Sequence, residues 1–537
     1  MYYSVIIGAF ALAGAHLGVG DQLFGGQQVP QFQFHDDGRP DGRYRGRLFG
    51  RGRRGGAETQ SHAQEQQNAL DLHITNVHRI IDYSDIIVTF ESGNHSINHM
   101  KIGKFFLVGA LLLAVGCANA PKAPKSGPML AERIDSGFPT AHATFNGMNF
   151  ASDGKLYYVL TSTRYDEGGH FYRYDPATGS VEFIADIAQA LGDLDQKCIA
   201  QGKSHVDFEE YDGKLYFATH MGYYQIVDGA ELTPTDLPDG WKPYRGGHFV
   251  YYDLKTGEIV DLGIAPDKGG IITMTMDKER KHLYGLTWPL GTFLDYDMAT
   301  GTVKDCGSTF KAGETNPANP GYRVICRSMF VDPRDGNVYW SVGDGDIYSY
   351  NPAEGTPKMV EGADLRLDYF GKYDPSKPGS MSYNWRKICW YVPDGKAYGV
   401  HGNSGYLFSF DPREKKVEIV DRITSEPSRR GGMFDGFGYG YLSFKIDEHG
   451  TVYYLTGAPI FENGKKVEGK KEQFHLVTYS IPEQKYQDLG PVVFPDGSSP
   501  TLINSLDVDK DGSVYCIATF REEGHETTDL IRFRPNH

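Results

Sequence analysis

The chain has 537 residues, 40% of them apolar, and a formal net charge of −15. A surface this acidic excludes general nucleic-acid binding, which rests on neutralising phosphates, so a polyanionic ligand must meet a local basic patch.

Residues 1–99 stand apart. They contain no Lys, Cys or Trp, carry a Gly/Arg-rich run from Gly42 to Gly56, and show no sustained strand period. Met100-Lys101-Ile102-Gly103-Lys104 then opens a charged region, and Phe105 to Gly116 is an apolar stretch too short to span a bilayer comfortably. Residues 100–120 therefore read as a secretory signal. The leader before it reads as a start placed too far upstream, with Met100 the initiator; a disordered extension or an anchor at Met1 to Leu23 is the alternative. Leu113-Ala114-Val115-Gly116-Cys117 resembles a bacterial lipobox, which would lipidate Cys117, although Ala114 stands where such boxes usually have Leu. Ala118-Asn119-Ala120 fits ordinary signal cleavage instead. Either route predicts export, to the periplasm, the outer membrane as a lipoprotein, or the medium, with membrane contact only through the anchor.

From Asp153 to Tyr515 one pattern recurs seven times: a turn, an apolar-plus-tyrosine step, a variable loop, an aromatic-Asp step and a second turn. The steps are Leu156-Tyr157, Leu215-Tyr216, Leu283-Tyr284, Val338-Tyr339, Ala397-Tyr398, Val452-Tyr453 and Val514-Tyr515. In six of them a glycine stands two residues earlier, as a tight hairpin needing positive φ requires. The partner segments read Tyr174-Asp175-Pro176-Ala177-Thr178-Gly179, Tyr252 to Gly257 and Tyr296 to Gly301, and more loosely Tyr350-Asn351-Pro352 and Phe410-Asp411-Pro412. A repeat of 55 to 68 residues built from short strands and turns predicts an all-β fold, a seven-bladed β-propeller over residues 121–537.

The blades are expected at Phe145 to Ala185, His205 to Leu262, Ile271 to Cys306, Ile325 to Val360, Trp385 to Val420, Tyr439 to Leu489 and Leu502 to Phe533. The last offers three clear strands, and Met129 to Ile134 could supply the fourth and close the ring. A monomer is expected. Cys198, Cys306, Cys326, Cys389 and Cys516 are odd in number and lack metal-type spacing, so at least one is a free thiol. With short turns on one face, the long connections share the other: Gln225 to Gly246, Ser308 to Tyr322, Gly362 to Ser382 and Ile423 to Gly438. That face is expected to carry the site.

A two-residue turn at Asp212-Gly213 pairs Tyr211 with Lys214, and the same register sets His205 across from His220 with Cβ atoms roughly 5 Å apart. Two such imidazoles could share a divalent metal, or one could hold the other in a useful tautomer. Trp241-Lys242-Pro243-Tyr244-Arg245-Gly246-Gly247-His248 brings a phenol, a guanidinium and an imidazole to the same face. Tyr244 carries a proton usefully only if a cation lowers its pKa. Arg323, Arg327, Trp385 and Arg386 stand at blade entrances, and Trp288 and His401 in connecting loops; together they suit an anion-binding mouth with aromatic platforms. His205, His220, His248 and His401 are the candidate metal ligands. Asp507-Val508-Asp509-Lys510-Asp511-Gly512 looks like the start of a calcium loop, but its twelfth position is Ala518, and it reads as the seventh turn.

Lys203-Ser204-His205, the strand Leu215-Tyr216-Phe217-Ala218-Thr219-His220 with Gly222-Tyr223, and Gly246-Gly247-His248-Phe249 leading to Tyr252-Asp253 resemble the propeller-fold polysaccharide lyases. The ulvan lyases are the nearer likeness and the oligogalacturonate lyases the more distant. The resemblance covers the first four blades best. It implies a secreted bacterial enzyme that cleaves an anionic, uronate-containing polysaccharide or oligosaccharide, sulfated or not, using His, Tyr and Arg. β-Elimination needs a cation to neutralise the C5 carboxylate, a base for the C5 proton and an acid for the departing O4. On that reading His205 or His220 is the base, Tyr244 the acid, and Arg245, Arg323 or Arg327 the neutralising cation, with Tyr223, His248, Trp288, Trp385, Arg386 and His401 holding substrate. The alternatives are a non-catalytic glycan-binding or scaffold propeller and, last, a metal-dependent lactonase, which would need a carboxylate-rich centre in place of His and Arg.

Overall fold

Each repeat folds as its residues dictate. Asp212 and Gly213 take φ of 50° and 70°, the backbone a two-residue hairpin needs. In the third repeat, which lacks the glycine, Lys281 supplies the positive φ, 60°. In three repeats the recurring tyrosine is explained by the turn before it: Tyr157, Tyr398 and Tyr515 donate their hydroxyls to Asp153, Asp394 and Asp509. Each ring thereby packs between sheets while its polar tip closes a turn. The second turn is capped in the same spirit, with the Asp175 and Asp253 carboxylates accepting backbone N–H groups two residues on. Asp509 likewise accepts from the amides of Asp511 and Ser513, as a turn residue does.

The computed structural model describes residues 127–537 except 228–229, 379, 431–441, 459–460, 463–464, 467–472, 523 and 537. The leader, the signal segment, Cys117 and Tyr439 lie outside the described residues. Among the described residues the strands form five separate four-stranded antiparallel sheets, one nine-stranded sheet and two two-stranded hairpins. The first contains Met148–Phe150, Leu156–Leu160, His170–Asp175 and Ser180–Asp186. The nine-stranded sheet is two sets joined at Met129–Ile134, which runs antiparallel to His525–Phe533, Ala131 facing Phe533, and parallel to Lys485–Val493, Met129 facing Val492. The expected closing strand is therefore in place, and the sheets are arranged as a β-propeller. Closure is also made by side chains, since Met148, Leu156 and Tyr158 of the first set share an apolar cluster with Ile517 and Leu530 of the last.

The innermost strands converge. Lys387, on Trp385–Tyr391, reaches Asn146 Oδ1 at 2.8 Å and the Asp207 carboxylate, residues of the first and second sets. Lys445 similarly holds Asp507 at 2.8 Å. The Gln225 to Gly246 connection contains its own hairpin, Gln225–Val227 with Ala230–Leu232, and five free thiols are present among the described residues.

Candidate functional site

The predicted register holds for Tyr211–Lys214, Glu210–Leu215 and Glu209–Tyr216, and then breaks. The first set captures the backbone ahead of that strand: Asn149 Oδ1 accepts from Phe208 N, Gly147 N donates to Val206 O, and Asn146 Nδ2 donates to His205 O. Pairing resumes two residues out of step. Lys203, rather than His205, faces His220, with Lys203 N to His220 O at 3.0 Å and His220 N to Lys203 O at 2.8 Å. The expectation of a directly opposed His205–His220 pair is thus corrected, though the two rings remain neighbours at 6.3 Å between centroids.

His205 is 5% exposed and stacks on Phe145. Its Nδ1 lies 2.9 Å from the Ile272 carbonyl. A carbonyl only accepts, so Nδ1 carries the proton and Nε2 the lone pair. Burial holds its pKa well below the usual value, and Arg327, Lys203, His220 and Arg386 push the same way. His220 is also held neutral by burial. Its Nδ1 is buried without a partner and packs on Gly270, where an added Cβ would stand 2.1 Å away; its Nε2 is 3.5 Å from the Tyr224 hydroxyl. Trp288 and Tyr224 close the wall, 5.7 and 6.1 Å from the His220 ring. Tyr224 donates to Met221 O, and burial raises its pKa well above the ordinary phenol, so it stays protonated.

The arginines separate by their carboxylates. Arg327 makes a bidentate pair with Glu314, at 2.8 and 3.1 Å, and the same carboxylate accepts from Trp288 Nε1. Arg323 is taken by Asp344 at 2.7 Å. Arg386 is 2% exposed with Nη1 on Met381 Sδ.

Other predicted residues lie elsewhere. Thr219 and His220 point to opposite faces of their extended segment, and the Thr219 side leads into a separate buried network. Thr219 Oγ1 and the Tyr244 hydroxyl both donate to Gln201 Oε1, at 2.7 and 2.5 Å, while Gln201 Nε2 donates to Asp193. Asp193 also pairs with Arg245 at 2.7 Å. No cation lowers the Tyr244 pKa; burial raises it well above the ordinary phenol, against that expectation. His248 lies 3.0 Å from Asp261 and 3.7 Å from Asp193. Burial pulls its pKa down, but the two carboxylates outweigh that and raise it. His401 stacks on Phe370 with centroids 4.1 Å apart, and burial pushes its pKa down to about 3. Trp385 is core, its Nε1 on Ser328 O, and Tyr223 packs edge-on to Tyr165.

His248 and His401 do not join the His205–His220 pair, since each sits in its own environment, and among the described residues no group of three or more His, Cys, Asp or Glu is placed to hold an ion. The site residues that sequence reading passed over are Lys203, Tyr224 and Glu314. Lys203 and Tyr224 flank the two histidines in sequence, which was the available signal; Glu314 gave none.

No family model matches the chain, and no curated protein matches it. Among solved structures, a putative 6-phosphogluconolactonase from Bacteroides uniformis is 12% identical with a TM-score of 0.41, over 70% of this chain and 95% of that one. The Cps50 (Swd1) β-propeller domain of Myceliophteria thermophila is 9% identical with a TM-score of 0.43, over 76% and 99%. A chain of a mitotic checkpoint complex is 9% identical with a TM-score of 0.44, over 85% and 100%. Likeness of this degree says nothing about activity.

Proposed function

We propose that this β-propeller is a polysaccharide lyase that cleaves a uronate-containing glycan by β-elimination. The observation that supports this best is His205: a neutral imidazole with its proton fixed on Nδ1 by the Ile272 carbonyl, its Nε2 taking no hydrogen bond among the described residues, set among the cations Lys203, Arg327 and Arg386. A neutral base beside positive charge is what removal of a proton next to a carboxylate requires. Nε2 takes the C5 proton, the C5–H electrons form the C4–C5 double bond, and the C4–O4 bond breaks. Tyr224, protonated and beside His220, is the acid for the departing O4. We also propose that the protein is exported through residues 100–120, with Cys117 the lipidation site; the mass of the mature N-terminus tests this.

The test of activity is the rise in ultraviolet absorbance of an unsaturated uronate product when the full chain is incubated with uronate polysaccharides, ulvan and polygalacturonate among them. A rise with one glycan supports elimination and selects the substrate. Binding without a rise favours the second reading, a non-catalytic glycan-binding propeller, for which the neutralisation of Arg327 by Glu314 and Arg323 by Asp344 speaks.

A further inference from the structure

Lys203 differs from the other cations of this region. Arg245, Arg323, Arg327 and Lys387 each hold a carboxylate. Lys203 is 8% exposed, and no carboxylate reaches its ammonium at ion-pair distance among the described residues; Glu231 acts on it only from farther away. Its Nζ stands 4.8 Å from the Tyr224 ring centroid, over the ring face, a contact worth far less than an ion pair in a desolvated site.

The backbone that carries it is locked. Lys203 exchanges both hydrogen bonds with His220. Its neighbour Gly202 is packed so closely that a Cβ there would lie 2.5 Å from Gly222 N and 2.5 Å from Ser162 O. A buried charge without a counter-charge is costly to keep. Burial accordingly pushes the Lys203 pKa down to about 8, with Arg327 adding to the effect and Glu231 opposing it. A rigid scaffold that holds such a group beside a neutral base, a phenol and an indole leaves the missing charge to be supplied by a ligand.

We infer that the Lys203 ammonium is the receptor for one anionic group of the ligand, a uronate carboxylate or a sulfate ester, and that it acts in binding independently of proton removal by His205. This deepens the lyase reading and rests on it only for the place where the sugar lies. Arg327, already neutralised by Glu314, then positions Trp288 through that shared carboxylate and is not the primary anion contact.

The test is calorimetric titration of the full chain with sodium D-glucuronate, sodium sulfate and D-glucose. The wild type binds glucuronate or sulfate, and which of the two it binds names the source of the anion. Lys203→Met weakens that binding by about 10- to 100-fold, the worth of a charged hydrogen bond, while Lys278→Met, which removes a surface ammonium paired with Glu209, binds as the wild type does. Lys203→Met melts no lower than the wild type, because it removes an unpaired buried charge. If the variant does not fold, amine acylation of the wild type read by mass spectrometry replaces it: glucuronate or sulfate slows labelling of Lys203 about 10-fold or more, and glucose does not. Unchanged binding in Lys203→Met, unprotected labelling, or no binding of either anion by the wild type overturns the inference. Lost binding in Lys203→Met with no product from any glycan sinks the lyase reading alone, and product with Lys203-independent binding sinks this inference alone.

Discussion

Lys203 and His220 exchange both backbone hydrogen bonds across the second blade, which displaces His205 by two positions from the place that simple hairpin counting assigns it. The displacement turns a histidine pair into a lysine–histidine pair with a second histidine beside it. It also frees the His205 ring to reach the Ile272 carbonyl of the third blade.

On the proposed lyase reading, His205→Ala lowers the elimination rate by about 10²- to 10⁴-fold, the usual contribution of a positioned base; on any reading it costs about 1–2 kcal/mol of stability for its lost hydrogen bond and packing. Of the two tyrosines, Tyr224→Phe loses activity and Tyr244→Phe keeps most of it, because Tyr224 stands at the His220 ring while Tyr244 lies in the separate Gln201 network. Initial rates on the selected glycan decide between them; a dead Tyr244→Phe with an active Tyr224→Phe would reverse the assignment of the acid.

Gly270→Ala forces the His220 ring to move, since the new methyl would stand 2.1 Å from its Nδ1. Overpacking of this kind costs about 1–3 kcal/mol. Misplacement of the wall beside the base reduces the rate on the order of 100-fold. Circular dichroism and rate measurements together check this, and a fully active variant would show that His220 has no positional role.

Lys387 ties the fifth blade to Asn146 and Asp207 across the centre of the ring. Asp207 is 44% exposed, so solvent screens part of the pair, and Lys387→Met costs about 1–3 kcal/mol in place of the larger loss expected for a fully buried pair. A double-mutant cycle with Asp207→Asn in urea unfolding should show coupling of about 1 kcal/mol; strictly additive effects would mean that the contact carries no stability.

His401 makes the fold acid-sensitive. Its folded pKa of about 3 lies below the unfolded value of about 6.5. The unfolded chain therefore binds the proton first, and the contribution present above pH ~6.5 is lost as pH falls towards ~3. His205 and His220 have the same sign. His401→Phe keeps the stack on Phe370, gives up the 2.9 Å contact with Ser404 at a cost of about 1 kcal/mol near neutrality, and moves the acid unfolding midpoint to lower pH. An unmoved midpoint would mean that His401 protonates without unfolding.

The repeat was legible because its causes are local. Glycine or lysine at positive φ, an Asp that caps its own turn and a Tyr that reaches back to that Asp all act within about six residues. The closing strand at Met129–Ile134 was legible for a different reason: a propeller must bury its last edge, and an apolar segment ahead of the first repeat could supply the missing strand. His205 and His220 were correctly placed in one neighbourhood, while their facing was not.

The sequence by itself determined the all-β repeat, its strands and its turns, since these depend on each residue and its near neighbours. Tertiary structure alone decided which cations are spent and which are free. Arg327, Arg323 and Arg245 find carboxylates 13, 21 and 52 residues away, and Asn146 and Asn149 capture backbone 59 residues distant to shift the register. Ion pairs and orphan amides are settled by whichever partner the assembled ring brings within about 3 Å, a distance that sequence separation does not encode.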